Sequence, residues 1–123
     1  MDDSPNATPP TPSSPPSNLA FLRDLPTVVS RIQGGFDAYQ RACFPSRPPE
    51  FFALELTGEA GELANNEKKA WKGRPVAEET FADEAADVFI ALMNYCNARG
   101  VDLGEAVARK VRTIDERRRQ GTH

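Results

Sequence analysis

Two pairs of carboxylates share one spacing in this chain. Glu59 and Glu62 form Glu-x-x-Glu, and Glu84 and Asp87 form Glu-x-x-Asp. Both pairs fall in segments with helical periodicity, where residues i and i+3 lie on one face. Two antiparallel helices can therefore aim four acids at one point. Four negative charges held together repel unless a cation neutralises them. Clustered carboxylate oxygens suit a hard divalent cation such as Mg²⁺, which commonly bridges protein carboxylates and substrate phosphates. The alternative is that these acids are only the solvated faces of two helices. Against it, the acids border the apolar stripes rather than lying opposite them, and both pairs have the same spacing. Small residues, Gly58, Ala60, Gly61, Ala85 and Ala86, also surround them. Glycine on a helix costs stability but lets another helix or a phosphate approach the backbone.

Other chemistries fit less well. A di-iron carboxylate bundle needs Glu-x-x-His from two helices, and the only histidine is His123. The same fact leaves no Ser/Cys–His nucleophile system. The acids do not alternate along a calcium-binding loop.

Four helices must position the acids. The first is expected from about Pro26 to Cys43, with Leu25, Val28, Val29, Ile32, Phe36 and Cys43 at helical spacing. Gly34 and Gly35 within it signal a break or a close helix crossing. Phe44-Pro-Ser-Arg-Pro-Pro reads as a loop. The second helix spans about Glu50 to Trp71, with Phe52, Leu56, Ala60, Leu63 and Ala64 as its stripe and Gly73 and Pro75 beyond its end. The third runs from about Glu78 to Arg99 and stops at Gly100. The fourth, about Asp102 to Arg118, is capped by Asp102. No alternating strand pattern occurs, so the fold class is all-α, a four-helix bundle.

Residues 1–18 hold six of the 11 prolines together with Ser, Thr and Asn, and read as a disordered tail. Residues 19–119 form the folded domain and 120–123 a flexible C-terminus. About 100 residues is near the small end for a stable core. Adjacent apolar residues such as Val28-Val29, Phe51-Phe52 and Val88-Phe89 spread over broad faces, so completion by self-association is expected. The net charge of −3 argues against nucleic acid as a partner. No apolar run spans a membrane, and the start lacks a signal core, so a cytoplasmic location is expected. Cys43 and Cys96, both on apolar faces, are expected to be buried thiols.

The stretch from Leu54 to Arg118 resembles the MazG-like all-α nucleoside triphosphate pyrophosphatases. The similarity is carried by Gly-Glu-Ala-Gly-Glu-Leu-Ala at 58–64, Trp71-Lys72, Asp-Glu-Ala-Ala-Asp-Val at 83–88, Gly-Val-Asp-Leu at 100–103, Ala106-Val107 and Lys110. Phe36-Asp-Ala-Tyr-Gln resembles the family's first helix. The resemblance implies Mg²⁺-dependent hydrolysis of a nucleoside triphosphate to the monophosphate and pyrophosphate, with Mn²⁺ as a substitute. It implies Glu59, Glu62, Glu84 and Asp87 as metal ligands and a homodimer or homotetramer. Removal of damaged or surplus nucleotides is the family's usual role.

Many members carry an acid where this chain has Gly58, a glycine that sequences similar to the dCTP pyrophosphatases also carry. Glu55, one turn before Glu59, is the candidate to supply a second metal or orient water. Trp71, Lys72, Asn94 and Lys110 are the substrate-binding candidates: Trp71 by stacking on a base, Lys72 and Lys110 on phosphate, Asn94 on sugar or phosphate. Phe36 and Tyr39 are weaker candidates, read chiefly as core. Where the dCTP pyrophosphatases carry a pocket Tyr and Asn, this chain has Ala91 and Ile114. A pyrimidine deoxynucleotide or modified nucleotide is expected, over a broader range than for a strict dCTP enzyme. The competing expectation is a non-catalytic helical module that keeps the acids for metal or nucleotide binding.

Overall fold

Proline and glycine punctuate the chain where its helices begin and end. The computed structural model describes residues 17–121. The expected tail, 1–18, lies outside the described residues except for its last two positions; of 120–123, only Gln120 and Gly121 fall within them.

A 3₁₀ segment, Ser17–Arg23, leads into α1 (Leu25–Cys43), α2 (Pro49–Trp71), α3 (Glu78–Arg99) and α4 (Leu103–Arg119). Five helices thus replace the four expected. The added one is short, and it buries Leu22 beside α1. No strand occurs among the described residues, and no helix among them is long and apolar enough to cross a membrane.

Pro49 occupies the first position of α2, where its missing N–H costs nothing. Pro48 before it is extended, as its own ring and the following proline require. At the other end, Gly73 takes φ 82° and Arg74 N–H donates to the Lys69 carbonyl at 3.0 Å. That left-handed residue reverses the chain, and α3 returns antiparallel along α2. Gly100, at φ 77°, ends α3 in the same way, with Val101 N–H on the Cys96 carbonyl at 2.8 Å. Asp102 caps α4 as expected, its carboxylate accepting from Glu105 N–H at 3.1 Å.

The α2–α3 hairpin is the most extensive contact in the molecule, and α1 packs on both α3 and α4. The α1–α4 crossing is tight: a Cβ on Gly104 would meet Pro26 Cα at 2.7 Å. Gly34 and Gly35 behave otherwise than expected. α1 is unbroken through them, and nothing approaches either within 4 Å.

Gln33, 7% exposed, ties three elements together. Its Nε2 donates to the Val101 carbonyl at 2.9 Å and to Asn97 Oδ1 at 3.3 Å, and its Oε1 accepts from Leu103 N–H at 2.9 Å. Asn97 Nδ2 donates in turn to the Gln33 carbonyl at 2.9 Å. A buried amide with both ends satisfied fixes register rather than merely tolerating burial.

The apolar core is thin, consisting of Leu22, Phe52, Ala91, Met93, Cys96 and Ala108. The cysteines divide: Cys96 is buried, and burial pushes its thiol up, whereas Cys43 is exposed. Cys43 is the last residue of α1, and its place on the apolar stripe does not bury it.

Candidate metal centre

The antiparallel hairpin brings acids from α2 and α3 face to face. Glu59, Glu84 and Asp87 each offer a carboxylate oxygen, and these oxygens lie within 4.8 Å of one another. Glu59 and Glu84 are half-buried and Asp87 is exposed. Partial burial and the charges of Asp87 and Glu84 hold the Glu59 carboxyl above its ordinary range. The cluster is therefore electrostatically unfavourable without a counter-charge.

Glu84 Oε2 adds a second sign. It is buried and has no hydrogen-bond partner among the described residues. A buried carboxylate oxygen left unpaired costs free energy that a bound cation removes. An all-oxygen donor set matches Mg²⁺ or Mn²⁺ rather than a thiophilic metal. The residues present therefore fit the expected ion.

Glu62 stands apart from the other three. It is exposed and outside the close group. A step of three residues turns the side chain by about 60° around the helix and carries it about 4.5 Å along. Glu62 joins the others only by extending toward them. Glu55, one turn before Glu59, is also exposed and lines a cavity rather than the acid cluster.

The remaining candidates scatter. Asn94 is 8% exposed and donates to Gln40 Oε1 at 3.4 Å. Trp71 is 89% exposed, about 18 Å along the α2 axis from Glu59. Lys72 follows it as the C-cap of α2 and is exposed. Lys110 lies on the exposed flank of α4 beside Ala106 and Val107, and α4 packs mainly on α1. Phe36 is half-buried and meets Phe89 edge-on, with ring centroids 6.0 Å apart. Tyr39 is exposed and packs edge-on to Phe44. Ala91 is buried and Ile114 half-buried.

Gln40 escaped the sequence reading, as did the tie made by Gln33. The available signal was a glutamine recurring two turns apart in α1, next to the apolar stripe of Val29, Ile32 and Phe36. Polar residues at such positions need partners, and these find them on α3.

No protein-family model, curated protein or solved structure matches this chain.

Proposed function

We propose that this chain is a divalent-cation-dependent nucleoside triphosphate pyrophosphohydrolase, a distant relative of the MazG-like enzymes that its motifs resemble. The observation that carries the reading is the convergence of Glu59, Glu84 and Asp87 within 4.8 Å across the α2–α3 hairpin, with Glu84 Oε2 buried and unpaired.

Glu59, Glu84 and Asp87 would hold Mg²⁺ or Mn²⁺, with Glu62 extending to complete the set. When bound, the cation neutralises charge on the triphosphate and on the departing pyrophosphate. The protein's own part is positioning. The carboxylates would fix the cation on the α2–α3 hairpin, and through it the phosphates. Glu55, exposed and one turn from Glu59, accepts a hydrogen bond from the attacking water and takes its proton. Water oxygen bonds to the α-phosphorus as the bond from that phosphorus to the bridging oxygen of pyrophosphate breaks.

Self-association belongs to this proposal. Leu54 is 74% exposed, and Phe21, Val28, Phe44 and Phe89 also face outward. A second copy covering such surface is the simplest arrangement, and Trp71 and Lys72 would reach a metal centre only from that copy. The test is pyrophosphate release from common and modified nucleoside triphosphates with Mg²⁺ or Mn²⁺. Release that depends on the cation and is lost in Glu59→Gln supports the reading; no release from any nucleotide counts against it.

A further inference from the structure

Beside the acids, toward the start of α2, lie two adjoining cavities of about 470 and 230 Å³. Both are bounded by Gln40 of α1, Asn94 of α3, Phe52 of α2 and Phe44 and Arg47 of the α1–α2 loop. The combined space lies within the range of small-ligand sites. Its walls combine aromatic faces with the amides of Gln40, Asn94 and Asn97 and the charged groups of Asp37, Arg41 and Arg47, and Asn97 is already paired with Gln33. Asn94 uses its Nδ2 on Gln40 Oε1, a long bond of 3.4 Å. Gln40 Nε2 and Asn94 Oδ1 make no other side-chain hydrogen bond among the described residues, and neither is a buried unpaired atom, so both are open to solvent or to a ligand. One donor and one acceptor thus stand side by side in a recess with aromatic walls.

We infer that this recess takes the nucleobase of the substrate and that Gln40 and Asn94 read its edge. The inference rests on the nucleotide reading above and adds the direction in which the base lies. Every common base presents adjacent donors and acceptors in its plane, and the open amide groups complement such an edge. Phe44 and Phe52 supply the apolar walls on which a planar ring can rest. The distances suit one molecule. Glu55, on the cavity wall, is about 6 Å along α2 from Glu59, and Asn94 is about 10 Å along α3 from Asp87. A sugar bridges a gap of that order between phosphates held at the acids and a base held in the recess. The base then points away from Trp71 of the same chain. Discrimination comes from the amides, because stacking alone accepts any base, whereas an amide that loses its partner penalises the wrong edge.

The test is equilibrium binding, measured with Mg²⁺, of the four α,β-imido deoxynucleoside triphosphates and of inorganic tripolyphosphate, which has no base. Wild type, Gln40→Leu and Asn94→Leu are compared. The nearly isosteric Gln40→Glu keeps the test decisive if a leucine variant fails to fold. In wild type one base is preferred over the weakest by about tenfold or more. In the leucine variants this spread collapses below about threefold, while tripolyphosphate affinity stays within about twofold. In Gln40→Glu the order of preference changes, because a donor has become an acceptor. An unchanged order and spread in the variants, or wild type binding all bases equally, overturns the inference. So does a parallel loss of tripolyphosphate affinity, which would assign these residues to the fold alone. The hydrolysis reading is scored separately. Base-selective binding without pyrophosphate release sinks that reading and leaves the recess standing; release with unaltered selectivity in the variants does the reverse.

Discussion

Glu59 is the residue on which the electrostatics of this molecule turn. Its carboxyl is held above its ordinary value of 4.5, first by burial and then by the charges of Asp87 and Glu84. A raised value in the folded chain means that the folded state binds this proton more tightly than the unfolded one. The resulting stability is present below the ordinary glutamate range and is lost as pH rises through the raised value. Metal-free protein is therefore expected to lose stability from this group as pH rises from the ordinary glutamate range through the raised value. Glu59→Gln should flatten that part of the profile. Urea midpoints in the presence of a chelator check this, and a wild-type profile indistinguishable from that of Glu59→Gln would contradict it. A divalent cation supplies the same relief by another route. Mn²⁺ should raise the melting temperature of wild type near neutral pH, and by less as the pH falls and protons compete. Among the acids, Glu59→Gln and Asp87→Asn should weaken Mn²⁺ binding more than Glu62→Gln, because Glu62 lies outside the close group. Calorimetric titration of the three variants gives the order directly.

At the scale of elements, glycines with opposite surroundings make opposite predictions. A Cβ on Gly104 would lie 2.7 Å from Pro26 Cα and 2.9 Å from the Leu25 carbonyl oxygen, both backbone atoms that cannot swing aside. Gly104→Ala should therefore cost about 1–3 kcal/mol by forcing α4 off α1, read from urea unfolding. Gly58 and Gly61 have nothing within 4 Å. Their replacement by alanine should stabilise the isolated chain by about 0.5–1 kcal/mol each. If a phosphate or a second copy approaches that face, activity or assembly should fall even as the fold is strengthened.

The helices were the most legible part of the chain. α3 runs from Glu78 to Arg99, as its periodicity and Gly100 predict, and α1, α2 and α4 differ from expectation by a residue at their ends. Proline, the left-handed glycines and Asp102 act locally, so they speak through sequence alone. The 3₁₀ segment was not legible, because it is a short piece held by the burial of Leu22. Gly34 and Gly35 misled, since intrinsic propensity is a weak prior that the rest of a 19-residue helix overrides. In the candidate site, the i, i+3 spacing picked out Glu59, Glu84 and Asp87. It did not reveal that Glu62 stands outside the group, which depends on how the hairpin crosses. Gln33 and Gln40 were hidden because a glutamine announces neither its burial nor its distant partner.

For the whole molecule, the balance between a thin core and exposed apolar surface decides the expected state. Leu54, Phe21 and Tyr39 are each more than half exposed, while among the described residues the fully buried apolar core comprises six residues, two of them alanine. Surface of this kind on so small a body is what motivates the proposed self-association. Light scattering at micromolar concentration should report at least a dimer, and Leu54→Lys should shift the mass toward the monomer if α2 carries the contact. A wild-type chain that stays monomeric would remove the route by which Trp71 and Lys72 reach a metal centre.

The central claim is that the acids joined across the α2–α3 hairpin hold a cation that supports cleavage of a nucleoside triphosphate. It is tested most directly by measuring Mg²⁺-dependent pyrophosphate release by wild type and Asp87→Asn over a panel of nucleotides. The account predicts release by wild type on at least one nucleotide, no release with chelator, and a fall of about 100-fold or more in Asp87→Asn with the melting temperature of the metal-free chain preserved. Release that persists undiminished in Asp87→Asn, or that proceeds in the presence of chelator, would contradict it.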